Sequence, residues 1–91
     1  MSDAPEMQEI VCNDRRVTAS GRVTIPETTR EKYDIDVGDY VDFYIVGDGY
    51  EFGSQDMKVQ NRHRLQLEKK KRERYGVEEG DIVDVIIYRD V

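Results

Sequence analysis

Two Gly-Asp dipeptides, Gly38-Asp39 and Gly80-Asp81, stand 42 residues apart, and sliding the 91-residue chain over itself by that offset aligns thirteen identical pairs without a gap. The pairs begin at Glu9 and Glu51, include Asp14 with Asp56, Arg22 with Arg64, Arg30 with Arg72 and Tyr33 with Tyr75, and end at Asp48 with Asp90. Self-similarity at such a period marks a chain built from copies of one supersecondary unit. Neither copy is long enough to bury an adequate core by itself. The first copy is expected to span residues 8–49 and the second 50–91, with 8–91 together forming one domain. Residues 1–7, rich in Ser, Asp, Pro and Glu, read as a disordered acidic tail.

The apolar residues say what the unit is made of. Val and Ile fill 18 positions, whereas Leu and Ala fill two each, and β-branched side chains suit a pleated sheet. Each copy gives the same order of elements. Short strands at Glu9–Cys12 and Arg16–Thr18 in copy one correspond to Tyr50–Phe52 and Lys58–Gln60 in copy two. A tight turn follows at Ser20-Gly21 and around Asn61-Arg62, where Gly and Asn can take positive φ. The return strands Arg22–Ile25 and Arg64–Leu67 alternate, placing Val23, Ile25, Leu65 and Leu67 on one buried face. A two-turn helix opens after Pro26 in copy one and closes near Tyr33 and Tyr75, with Asp34 and Gly76 in the position after it that favours left-handed geometry. Final strands cover Tyr40–Val46 and Ile82–Tyr88, which makes four strands and one helix per copy.

A net charge of -6 argues at first against nucleic acid, but the charge is segregated along the chain. Residues 15–32 and 57–75 sum to +3 and +6, while 1–14, 33–56 and 76–91 sum to -4, -7 and -4. The basic stretches coincide with the turn and helix of each copy and the acidic ones with the Gly-Asp turn and last strand. One face is therefore expected to be cationic. A basic ridge governs its own surroundings, because charges are screened within about 8 Å at physiological salt. No apolar run is long enough for a membrane span or a signal peptide, so a cytoplasmic protein without membrane association is expected. Cys12 is the only cysteine, which excludes an internal disulfide or a multi-thiolate metal site, and it reads as a small buried residue.

Gly21-Arg22-Val23-Thr24-Ile25-Pro26, followed by Arg30, Tyr33, Ile35 and Gly38-Asp39, resembles the core signature of the AbrB/MazE/SpoVT-type swapped-hairpin DNA-binding family. The resemblance covers nearly all of copy one and, more weakly, copy two. It departs where His63 stands for the turn glycine, Glu68 for the proline, and Thr29 or Lys71 for an apolar helix position. The fold class it implies is mainly β with short helices: a swapped-hairpin AbrB-like barrel made by two tandem repeats as a single-chain, monomeric pseudo-dimer, with weak further association possible.

In function, the resemblance implies a sequence-specific regulator of transcription that binds double-stranded DNA through arginines before the hairpin, in its second strand and in the helix. Those positions hold Arg15, Arg16, Arg22 and Arg30 in copy one and Lys58, Arg64 and Arg72 in copy two, with Arg62 in the second turn joining the set. The alternative implied by the same family is an antitoxin-like module that neutralises a toxin partner. Bland readings stand beside these. The arginines could form structural salt bridges with Glu31, Glu73, Asp39 or Asp81, and Lys69-Lys70-Lys71-Arg72 could be a solvated helix face. Asp42 and Asp84 could simply keep a strand face soluble. His63 has no second histidine or nucleophile to work with, and nothing resembles a nucleotide loop or a metal cluster, so neither an enzyme nor a cofactor is expected.

Twenty Asp and Glu against five Lys resemble the acidic surfaces of proteins from high-salt cytoplasm, and solubility alone could also account for them. A melting series from low to molar KCl separates the two: steep stabilisation as self-repulsion is screened is expected for the halophilic reading, and a flat or falling melting temperature refutes it.

Overall fold

The structure, a computed structural model, describes residues 7–90. The expected tail therefore lies outside the described residues except for Met7, which opens a strand. The chain is mainly β with two short helices. Strands β1 (Met7–Arg16) and β2 (Arg22–Thr24), helix α1 (Glu27–Lys32) and strand β3 (Tyr40–Val46) make up the first half. The second half holds β4 (Glu51–Lys58), a 3-10 turn at Asn61–His63, β5 (Arg64–Gln66), α2 (Lys69–Tyr75) and β6 (Ile82–Asp90). Strand β5 begins 42 residues after β2, α2 after α1, and β6 after β3, the offset seen in the sequence.

Two antiparallel sheets result, one of four strands ordered β1-β6-β3-β4 and one of two, β2-β5. Every pairing between these strands joins one half of the chain to the other. β1 runs along β6, β3 lies between β6 and β4, and β2 lies beside β5 with Val23 opposite Leu65. The inner faces meet in one core. Ile10, Phe43, Ile45, Val85 and Ile87 from the large sheet pack with Val23 and Leu65 from the small one and with Ile25 and Leu67 just beyond its strands. The alternation expected of the return strands holds, since Val23, Ile25, Leu65 and Leu67 are each no more than 2 % exposed. Cys12 is buried as well, and desolvation raises its thiol pKa above the ordinary range, with Thr29 and Arg15 opposing.

Each half has three strands rather than four, because the two short N-terminal strands fuse across a β-bulge. The register of β1 against β6 slips between Cys12 and Arg15, and that of β4 against β3 slips at the matching place. Asp14 (φ 54°) and Asp56 (φ 51°) take the left-handed conformation there. The slip has a structural consequence. Cys12 opposes Val85 and Arg15 opposes Val83, so both point inward although three residues apart, and Arg16 is turned outward.

Asp42 and Asp84 hold these bulges, a structural task in addition to the solubility expected of them. The backbone N–H of Asp14 donates to Asp84 Oδ1, and that of Asp56 donates to Asp42 Oδ1, each at 2.9 Å. The Gly-Asp dipeptides are turn chemistry as expected. Gly38 and Gly80 take φ of 97° and 90°, and Asp39 and Asp81 accept the N–H of Asp36 and Glu78 at 2.9 Å. At the second hairpin, Arg62 (φ 63°) and His63 (φ 55°) take the left-handed geometry expected of Asn61.

Asp42→Ala or Asp84→Ala should each cost about 1 kcal/mol through the unpaired bulge amide. In a domain of this size that lowers the melting temperature by roughly 4–8 °C. Asn at either position keeps the acceptor and most of the stability, and melting followed by circular dichroism checks both. The folded Cys12 thiol holds its proton to higher pH than the unfolded one, so stability should fall as pH rises above about 9, an effect that Cys12→Ala removes.

Candidate nucleic-acid interface

Cross-strand partners in an antiparallel pair share a face. In the small sheet Arg22 lies opposite Gln66 and Thr24 opposite Arg64, so these four share the face away from buried Val23 and Leu65. Both hairpin arginines thus stand on one half-buried polar surface. Arg22 Nε donates to Gln66 Oε1 at 2.9 Å. Gln66 Nε2 in turn donates to the carbonyls of Ser20, Gly21 and Leu67 at 3.0, 3.1 and 3.1 Å. Arg64 donates no side-chain hydrogen bond to any described residue. Beside these arginines a recess of about 530 Å³ is lined by Arg22, Lys58, Gln60, Asn61 and Arg64 together with the apolar Val37 and Val59, with no carboxylate among them.

The helix arginines reach across to the other half. Each helix ends on a left-handed residue, Asp34 (φ 51°) or Gly76 (φ 68°). The N–H of the next residue, Ile35 or Val77, donates to the carbonyl of Arg30 or Arg72 at 2.9 Å, with the apolar side chain buried beneath. That closure sets both arginines over the opposite hairpin turn. Arg72 Nε donates to the Leu67 carbonyl at 3.1 Å, and its guanidinium fills the space a Cβ on Gly21 would need. Gly21 also has φ of 73°, a conformation that glycine adopts without steric cost. At the equivalent turn Arg30 Nη1 donates to His63 Nδ1 at 3.0 Å, which assigns the histidine proton to Nε2.

The remaining basic residues divide into two kinds. Arg15 points inward after the bulge, and its Nε donates to the Thr24 carbonyl at 3.0 Å, bracing β2. Arg16, Lys58 and Arg62 are exposed. Of the eight basic residues singled out in the sequence, the fold brings Arg22, Arg64 and Lys58 around one recess and sets Arg30 and Arg72 over the two hairpin turns. None of the eight is ion-paired among the described residues. The one salt bridge there joins Lys71 Nζ to Glu68 Oε1 at 3.1 Å. The arginine–carboxylate bridges that the bland reading offered are therefore not formed.

Lys71 departs from the solvated run in which it sits. It folds over β4 to the Gly53 carbonyl and to Ser54 Oγ, and its hydrogen bond holds the Glu68 carboxyl below the usual range. Gln66, Gln60 and Asn61 were not found from the sequence. Their place beside Arg22 arises only when β5 pairs with β2, and no motif in this chain marks that pairing.

No helix among the described residues is long and apolar enough to cross a membrane. Residues 15–49, over a third of the chain, match the family described as antidote-toxin recognition MazE, bacterial antitoxin. Comparison with curated proteins gave no match. Among solved structures, the chain is similar to the solution structure of PHS018 from Pyrococcus horikoshii, with a TM-score of 0.71 and 24% sequence identity. The likeness covers 90% of this chain and 89% of that one. It is a likeness of fold, while the family match places the MazE-type signature on the segment that holds Arg15, Arg16, Arg22 and Arg30.

Proposed function

We propose that this protein binds double-stranded DNA as an AbrB/MazE-like regulator of transcription, with residues 8–49 and 50–91 acting as two linked copies of a swapped-hairpin unit, a pseudo-dimer within one chain. The observation that carries the reading is the small sheet, where Arg22 and Arg64 share an outward polar face, beside a carboxylate-free recess, with no acidic partner among the described residues. Guanidinium groups bind phosphate, and bind the O6/N7 edge of guanine, through two parallel hydrogen bonds. Arginines already committed to salt bridges would be poorly placed to do so. Arg16, Lys58 and Arg62 are suited to phosphates by their exposure, whereas Arg15, Arg30 and Arg72 also support the hairpins, so their loss would affect both binding and shape.

Negative net charge is compatible with this assignment. The acids concentrate in residues 33–56 and 76–91, while residues 15–32 and 57–75, which hold the hairpins and helices, are net basic. The family match also supports a second reading, in which the chain neutralises a toxin partner. Recovery of a small protein partner in a pull-down that nuclease treatment leaves unchanged would favour that reading.

Replacing Arg22 and Arg64 together with Ala should abolish DNA binding and leave the sheet signal in circular dichroism intact, because neither side chain fills the core. If four to six phosphates are engaged, log affinity of the wild type should fall against log salt with a slope of roughly -4 to -5. Unchanged binding by the double variant overturns the assignment.

A further inference from the structure

The two hairpin arginines occupy equivalent positions, yet their surroundings differ. Each has one cross-strand neighbour on the outward face, Gln66 for Arg22 and Thr24 for Arg64. Glutamine is long enough to reach the guanidinium and does so at 2.9 Å, while Gln66 is itself held by three backbone carbonyls. Arg22 is thereby fixed through Nε, with its two terminal nitrogens left as a pre-oriented fork. Threonine is too short for that task, and the Arg64 side chain has no such brace among the described residues. A fixed fork suits the paired acceptors of a guanine edge, and a free arginine suits a phosphate, which tolerates many approaches.

The neighbouring turn repeats the inequality. Gln60 and Asn61 line the recess that Arg22 and Arg64 share, with side-chain amides able to donate and accept, and the residues 42 positions earlier are Thr18 and Ala19. The helix arginines differ too, since Arg30 is bonded to the His63 ring and Arg72 lies on bare Gly21.

We infer that the duplex this protein reads is not palindromic: one half-site is read at a guanine edge by Arg22 under the control of Gln66, and the other is held through its phosphates by Arg64. Gln66 is a positioning residue for specificity. The inference rests on the DNA-binding reading, and its test separates the two.

The full chain is used to select from a random duplex library at low salt, and the affinities for selected and random duplexes are then compared. An asymmetric consensus with a required guanine in one half is expected. Gln66→Thr, which copies the other half, should lower the ratio of selected to random affinity about tenfold while leaving random-duplex affinity within about twofold. Thr24→Gln should move the selected sequence toward an inverted repeat. A wild-type consensus that is already an inverted repeat, or binding without sequence preference, overturns the inference and leaves DNA binding standing. Failure to retain any duplex overturns both. The wild-type selection decides the matter even if Gln66→Thr does not fold, which its melting curve reveals.

Discussion

Each strand pairing in the described residues joins the first half of the chain to the second, and the rest of the structure follows from that exchange. An isolated half would hold β1, β2 and β3 with every sheet hydrogen-bonding edge open and the apolar face of each strand uncovered. The exchange supplies both deficiencies at once. It brings Val23 against Leu65 and seats Phe43 and Ile45 beside Val85 and Ile87, so sheet formation and core burial are one event. Covalent linkage makes this meeting intramolecular, which removes the dependence on concentration that a pair of separate chains would face.

The exchange also places the chemistry. Each hairpin turn is covered by the helix arginine of the opposite half, and the carbonyls of Gly21 and His63 accept the N–H groups of Leu67 and Ile25 at 2.9 and 2.8 Å. Basic residues far apart in the chain thus converge where β2 meets β5. Four acids, Asp39, Asp42, Asp81 and Asp84, accept backbone N–H groups at the bulges and Gly-Asp turns. A chain with more acids than bases therefore presents arginines that form no salt bridge among the described residues, and most of its carboxylates lie on other segments of the chain.

Equivalence of position has not kept equivalence of role. At one hairpin the turn is Gly21 under Arg72, and at the other it is His63 bonded to Arg30. The site after the bulge is Arg15 in one half, where it braces Thr24, and Met57 in the other. Cys12 and Ser54 are both buried, and their helix neighbours differ accordingly, Thr29 beside the thiol and Lys71 with Glu68 beside the hydroxyl. Within one chain no symmetry operator ties the residues of one half to those of the other, so each side can carry its own contacts.

The 42-residue offset, the alternation of Val23, Ile25, Leu65 and Leu67, the left-handed positions at Asp34 and Gly76, and the Gly-Asp turns were legible in the sequence. Each depends on local periodicity or on the backbone freedom of one or two residues, which a linear chain displays. The fusion of two short strands across Asp14 and Asp56 was not, because the bulge is stabilised by carboxylates 70 and 14 residues away. The same holds for Lys71, whose partners include the Gly53 carbonyl of a distant strand, and for the positive φ that passed to Arg62 and His63 in place of Asn61. The basic character of the hairpins could be read in one dimension. Which arginine is held by Gln66 and which one has no side-chain partner among the described residues depends on the register of β2 against β5, and only the folded core sets that register.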